Sequence, residues 1–314
     1  MRVSVVVPTY KRPESLCRCL DALARQDRQP DEILVVARRE DKASQRCISE
    51  RKGEPIRLVP IDVPAGRPGV VMALNAGVEA SSGEIVCLTD DDAEARPDWI
   101  SRILETFATD PRIGAVGGRD WIFQGGRLED GARSNVGTIS WFGQITGNHH
   151  LGVGPPRDVA VLKGVNLSVR GELIRQVGFD TRLLGITTEH HWEIGLCLRL
   201  LRTGYRIVYD PATAVDHRPQ PRVAEAREFG PRQVRDAVHN ETLALLEYLP
   251  AWRRPVYLAW AIVIGTSTTP GVAQTIRSLL SHRDLRWSLF SRAQSGRILG
   301  LRTYQRSRRA ERLS

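Results

Sequence analysis

Ile85-Val86-Cys87-Leu88-Thr89-Asp90-Asp91-Asp92 joins a short, near-continuous apolar run to three consecutive carboxylates. The run fits a strand covered on both faces. The triplet has no packing rationale: three like charges repel and must each stay solvated, so a buried strand tip gains nothing from them. A divalent cation changes that balance, because Mg²⁺ and Mn²⁺ prefer carboxylate oxygens and bridge them to phosphate. The competing reading is a solvated acidic turn capping a helix that starts near Pro97.

Outward from this stretch, the same kind of run recurs at Val3–Val7, Ile33–Val36, Ile56–Val59 and Ile113–Val116. Helical spacing fills the gaps at Glu14–Arg25, Lys42–Arg51, Val70–Ala80 and Asp98–Ala108. Strand and helix in alternation predict an α/β fold whose mostly parallel central sheet is flanked by helices. Ligands then lie outside the carboxyl ends of the strands. Pro8-Thr9-Tyr10, the segment after Val36 and the acidic triplet all fall at such ends.

The alternation stops at Arg119. From there to Asp158 the sequence is Gly-rich and aromatic, which predicts an irregular substrate loop or mobile lid. Order returns at Val159–Val169, followed by a short helix, Gly178-Phe179-Asp180, a helix over Trp192–Leu201 ended by Gly204, and a strand at Arg206–Tyr209. The division predicted is a catalytic domain over 1–230 and a helical, basic C-terminal extension over 231–314. Within the extension, Val234–Tyr248 has amphipathic spacing. Val256–Gly265 is apolar but too short for a confident span, leaving three readings: an interfacial or re-entrant membrane contact, a helix packed on the domain, or a true span.

The chain has 314 residues and a formal net charge of +9. Ten arginines lie from Arg277 onward against Asp284 and Glu311, so nearly all the excess belongs to the tail. Such a tail suits an anionic membrane surface or nucleic acid, or is a solvated end. The opening Met1–Pro8 run is too short for a signal-peptide core and reads as a first strand. The five cysteines show no metal spacing and predict structural thiols in a reducing compartment.

In order, Val5-Val6-Val7-Pro8-Thr9-Tyr10-Lys11-Arg12-Pro13, Asn75-Ala76-Gly77 with Ser82-Gly83-Glu84, Leu88-Thr89-Asp90-Asp91-Asp92, Gly164-Val165-Asn166-Leu167-Ser168-Val169-Arg170, Gly178-Phe179-Asp180, and Glu193 with Leu196-Cys197-Leu198-Arg199 resemble the segments of family 2 glycosyltransferases. The resemblance covers about residues 3–220. It implies the GT-A fold and metal-dependent inverting transfer of a hexosyl-type sugar from a nucleotide sugar, a UDP-sugar foremost. It also implies a hydroxyl acceptor on a glycan or lipid, as in polysaccharide biosynthesis.

The same resemblance implies the roles of individual residues. Mn²⁺ or Mg²⁺ would be held by Asp90 and Asp92, with His217 reaching the metal or diphosphate. Asp91 would turn to the ribose or share the metal. Nucleotide contacts would come from Pro8, Thr9, Tyr10, Arg12, Arg38, Asp41, Arg67, Asn75, Asp90 and Asp91. Arg67-Pro68-Gly69 reads equally well as a helix-initiating turn. Glu193 would be the base that deprotonates the acceptor, with Glu189 the alternative, and Asn166 and Trp192 would face the acceptor. His190 and His191 lack the spacing of a zinc helix.

The partners expected are a nucleotide-sugar donor, a glycan or lipid-linked acceptor, and a peripheral membrane contact at the inner face of the cytoplasmic membrane, with no nucleic acid. The other classes weighed are a haloacid dehalogenase-type phosphatase, a nucleotidyltransferase, and a basic membrane- or nucleic-acid-binding module with an inactive sugar site. Ala93-Glu94 after the triplet opposes the first. Pro8-Thr9-Tyr10-Lys11-Arg12, lacking a Gly-rich loop, opposes the second.

Overall fold

The structure is a computed structural model that describes residues 1–51, 53–64, 67, 69–185, 188–219, 231–280 and 287–313. Pro68, the tail residues Arg283, Asp284 and Arg286, and the predicted boundary at residue 230 lie outside these. The first half runs β1 (Val3–Thr9), α1 (Pro13–Ala24), β2 (Glu32–Arg38), α2 (Lys42–Ser49), β3 (Ile56–Ile61), α3 (Val70–Ala80), β4 (Ile85–Leu88), β5 (Ala93–Ala95), α4 (Trp99–Thr109) and β6 (Ile113–Gln124). Then come β7 (Arg127–Leu128), β8 (Thr138–Ile139), β9 (Ile145–Thr146), β10 (Arg157–Asp158), β11 (Leu167–Arg170), α5 (Gly171–Val177), α6 (Trp192–Arg202) and β12 (Arg206–His217). Four helices close the chain: α7 (Pro231–Tyr248), α8 (Arg253–Val263), α9 (Val272–Leu280) and α10 (Trp287–Leu313).

The main sheet has the order β10-β12-β6-β11-β4-β1-β2-β3. β3, β2, β1 and β4 are mutually parallel, β11 is antiparallel to both its neighbours, and β6 and β12 are parallel to each other. Alternate side chains feed two cores. Val3, Val5 and Val7 meet Leu16 and Leu20 of α1 and Trp99, Ile103 and Phe107 of α4. Val6, Leu34, Val36 and Leu88 meet Leu74 of α3, Leu196 and Leu200 of α6 and Leu245 of α7. A period of two with both faces buried is what a central strand requires. Helix α3 lies so close that a Cβ on Gly77 would stand 2.4 Å from Val6 Cγ1.

Three expectations need correction. The first concerns Arg119–Asp158. β6 continues through it to Gln124, and β8 and β9 form a hairpin. The hairpin is braced by Phe142 against Trp260 (5.1 Å between centroids) and by Arg253, which donates to the Trp141 carbonyl at 2.8 Å. Residues 119–124 mix charged and aromatic side chains, so this part of β6 offers no apolar run to read, while the Gly-rich remainder is largely irregular as expected.

The second concerns the arginine-rich end, which over its described length is a packed helix whose arginines, Arg297 apart, are mostly exposed. α10 packs along α7, with Gly296 and Gly300 set against the Arg235 and His239 carbonyls, and Ala293 buried with Val234 and Val238. Arg182 ties this layer to the domain, pairing with Asp180 at 2.6 Å and Glu247 at 2.6 Å and donating to Ser307 Oγ.

The third concerns the cysteines. Packing of α1 beside α2 joins Cys17 and Cys47 in a disulfide, while Cys19, Cys87 and Cys197 are buried and free.

α8 buries Tyr257 and Ala261 against the core. Among the described residues no helix is long and apolar enough to cross a membrane, so the spanning reading of Val256–Gly265 is set aside.

Candidate active site

The acidic triplet sits where β4 ends and the chain turns into β5. β5 pairs antiparallel with the end of β12, setting His217 opposite Ala93, the residue after Asp92. A bulge makes this possible. β12 advances from Asp210 to Val215 while its partner β6 advances only from Gly118 to Asp120. The displaced loop presses on Gly118, where a Cβ would stand 1.7 Å from the Thr213 carbonyl oxygen. Bulges of this kind re-aim the side chains that follow. Here the re-aimed residue is His217.

One ligand atom from each of Asp90, Asp92 and His217 lies within 4.8 Å of the other two. His217 Nε2 is 3.4 Å from Asp92 Oδ1, and His217 Nδ1 stands 3.9 Å from Asp120 Oδ2, an ion-pair rather than a hydrogen-bond distance. Burial alone would depress the His217 pKa, but the Asp120 and Asp92 carboxylates raise it to about 9. Burial also opposes ionisation of Asp120. His217 and Lys163, which pairs with it directly, overcome that and hold it below the usual carboxylate range. Two carboxylates and an imidazole converging on one point fit a hard or borderline divalent cation.

Asp91 points the other way. It is 0% exposed, accepts from Thr9 Oγ1 at 2.6 Å, and pairs with Arg12. Arg12 also reaches Asp92 at 2.6 Å. Burial, opposed by Arg12 and reinforced by Asp92 and Asp90, pushes the Asp91 carboxyl up to about 7. The middle carboxylate thus anchors the first loop to the triplet from beneath and does not open toward a ribose.

The remaining sequence candidates divide into edge and interior. Pro8 and Tyr10 stand at the end of β1, with the Arg38 guanidinium 4.0 Å over the Tyr10 ring; Arg67 is exposed. Asp41 is buried as the cap of α2, accepting from Ser44 N at 3.2 Å, from Ser44 Oγ at 2.7 Å and from the Lys11 amide. Lys11 itself has a left-handed φ of 55°. Asn75 exchanges two hydrogen bonds with the Phe179 backbone, latching α3 to the loop after α5. Asn166 is interior, accepting from Trp99 Nε1 at 2.9 Å and donating to the Thr213 carbonyl at 2.8 Å, which leaves its amide committed to scaffold. Trp192 packs edge-on to Phe179 and lies across Gly164.

The two glutamates part company. Glu189, 4% exposed, accepts from the Val70 and Val71 amides at 3.1 and 3.3 Å, so it caps α3 from a distant loop. Such a carboxylate is favoured by the helix dipole. Glu193 lies in the first turn of α6, after His191, whose φ of 66° is left-handed. It faces a cleft of about 380 Å³, shared with His149, His150, Lys163, Trp260 and Thr266 among others. Burial raises the Glu193 pKa and Asp90 adds repulsion, against the opposing pull of His191 and Lys163. A carboxyl held above its ordinary range in a cleft is a candidate for acid–base work.

Sequence reasoning missed Asp120, Lys163 and the cleft wall from the C-terminal region. Asp120 follows Gly117-Gly118-Arg119, and a lone carboxylate at the end of a Gly-rich buried run was the available signal.

Residues 4–169, more than half the chain, match the model for Glycosyl transferase family 2. The chain belongs to glycosyl transferase family 2. This member is 29% identical over 229 residues to a glucosyl-dolichyl phosphate glucuronosyltransferase of Haloferax volcanii, covering 69% of each chain. Its fold is similar to that of the mannosyltransferase PcManGT from Pyrobaculum calidifontis in complex with GDP-Man and Mn²⁺. The TM-score is 0.54 at 18% identity, over 97% of this chain and 87% of that one. It is also similar to GalNAc-T7 with UDP, GalNAc and Mn²⁺, with a TM-score of 0.60 at 12% identity, over 91% and 58%. Identities this low speak to the fold alone, which is GT-A. The protein is a glycosyltransferase.

Proposed function

We propose that this glycosyltransferase transfers a sugar with inversion from a nucleoside-diphosphate sugar, a UDP-sugar foremost, to a hydroxyl of a glycan or lipid-linked acceptor. The observation that carries the reading is Glu193, a carboxyl in the cleft wall with a raised pKa and within electrostatic reach of Asp90. The acceptor oxygen attacks the anomeric carbon, its proton passes to Glu193, and the bond to the diphosphate breaks with its electron pair leaving on phosphate. Asp90, Asp92 and His217 would hold Mn²⁺ or Mg²⁺, which when bound neutralises charge developing on the leaving diphosphate. The Mn²⁺ and nucleotide sugars named for PcManGT and GalNAc-T7 support that assignment.

Within this reading Tyr10 and Arg38 flank the nucleotide, and Lys163 and Trp192 border the acceptor side. Glu241, Trp260, Thr266, Thr268 and Thr269 of the C-terminal region complete the acceptor cleft, and that region makes a peripheral contact with the inner face of the cytoplasmic membrane. The test is release of nucleoside diphosphate from a panel of nucleotide sugars with Mn²⁺. Glu193→Gln should lower transfer by about a hundredfold or more while leaving nucleotide and metal affinity in place. Failure of every nucleotide sugar to bind with Mn²⁺ present would sink the proposal.

A further inference from the structure

Helix α9 is folded inside out for a helix on a soluble body. Its one buried side chain is Thr275, 4% exposed, whereas Val272, Ile276, Leu279 and Leu280 stand in solvent, Leu280 at 77%. Positions 272, 276 and 279–280 recur at the spacing of a single helix face. The end of α8 extends the strip with exposed Ile262, Val263 and Ile264. The two parts are stitched together, since Gly271 N donates to the Ile264 carbonyl at 3.0 Å and Gly265 bridges Pro270. Contiguous apolar surface of this kind on a soluble body marks an interaction site.

The turn between the two parts has a second attachment. Thr266, Thr268 and Thr269 line the cleft that Glu193 faces. The turn is held from behind by buried Arg297 of α10, which donates to the Thr269 carbonyl at 2.7 Å and the Pro270 carbonyl at 3.2 Å. The apolar strip is therefore continuous in the chain with the wall of the acceptor cleft.

Charge decides among occupants. The sequence from Tyr248 through Arg283 contains no Asp or Glu, while Arg253, Arg254 and Arg277 lie within it, and Arg277 stands exposed on α9 itself. An apolar helix face that carries an exposed arginine and no acidic residue of its own suits an anionic lipid surface, with Glu193 and Glu241 set inside the cleft.

We infer that the end of α8 and the outer face of α9 dock onto an anionic bilayer, setting the mouth of the Glu193 cleft at the lipid surface. This names the surface for the membrane contact and rests on the reading of the cleft as the acceptor site. It also adds an apolar face to the contact expected of the arginine-rich end, whose Arg292, Arg302, Arg306, Arg308 and Arg309 stay exposed on α10.

The test uses the full chain, the variant Ile276→Glu/Leu280→Glu, and vesicles of phosphatidylglycerol with phosphatidylcholine. Flotation should show the wild type bound and the variant weakened by about tenfold or more, with binding of both reduced by salt. Thermal midpoints should match, since both side chains are exposed; if the glutamates disturb folding, Ile276→Ser/Leu280→Ser takes their place. Nucleoside diphosphate release in vesicle-free buffer, measured in parallel, should be equal in the two proteins. Equal flotation of wild type and variant overturns the inference, as does a wild type that fails to float. A dimer that the variant dissociates without loss of flotation also overturns it, assigning the face to a second copy. Absence of diphosphate release with normal flotation would instead count against the transferase reading alone.

Discussion

Asp91→Asn separates two meanings of the acidic triplet. If Asp91 anchors the β1 loop, the substitution should cost stability and spare the metal. The side chain is fully buried, accepts from Thr9 and pairs with Arg12. Removing one partner of a buried pair costs about 3–5 kcal/mol when the other charge is stranded. Arg12 is not stranded, because Asp92 remains 2.6 Å away. Asparagine also keeps an acceptor for Thr9 and relieves the desolvation of a buried carboxylate. At neutral pH these offsets, with the wild-type carboxyl itself raised to about 7, keep the net cost at no more than about 2 kcal/mol. For a chain of 314 residues that lowers the thermal midpoint by no more than about 3 °C. Mn²⁺ affinity, read by electron paramagnetic resonance titration well below the midpoint, should change by less than about threefold. Asp90→Asn should do the reverse, weakening Mn²⁺ by about tenfold or more with little change in midpoint, since Asp90 is partly exposed. Loss of Mn²⁺ binding in Asp91→Asn at an unchanged midpoint would refute the argument and make Asp91 a ligand.

Other outcomes can be stated more briefly. Glu189→Gln should lower the thermal midpoint through about 1–2 kcal/mol of lost helix-end stabilisation at α3 while transfer stays within about threefold, and a large activity loss at normal stability would return Glu189 to contention as the base. Transfer by the wild type should rise with pH through the raised pKa of Glu193, its limb lying above the ordinary glutamate range; a flat profile from about pH 5 to about pH 8 would remove Glu193 as the titrating base. The sign for stability is opposite: a raised folded-state pKa contributes stability below the unfolded value and loses it as pH climbs through the folded value. Glu193→Gln should therefore melt no lower than the wild type at neutral pH, which calorimetry can check. Asp120→Asn should weaken Mn²⁺ by about tenfold through misorientation of His217, and unchanged affinity would show that the Asp120–His217 approach does not serve the metal.

Much of the nucleotide half was legible because its signals are local. A strand buried on both faces and a helix with one apolar face write their periods into adjacent residues, so Val70–Ala80 and Ile85–Leu88 were readable as they stand. The end of β12 was not. Its Pro211–Ala214 bulge breaks the period, and the strand regains pairing only because Gly118 leaves room for the Thr213 carbonyl. The continuation of β6, and with it Asp120, was hidden differently, because Arg119-Asp120-Trp121 break the apolar run that marks a buried strand.

The division between chain and fold follows from this. By itself, the sequence determined that three carboxylates stand at the end of a core strand, that they belong to a glycosyltransferase pattern, and that two glutamates compete for one role. Only the tertiary structure decided which way each carboxylate points. It turned Asp91 inward to Arg12, brought His217 to Asp90 and Asp92, tied Glu189 to the amides of α3, and left Glu193 facing the cleft. Those outcomes depend on sheet order and register between distant segments, 82 residues apart at Thr9–Asp91 and 119 at Val70–Glu189, and no local period encodes which segment will lie opposite which.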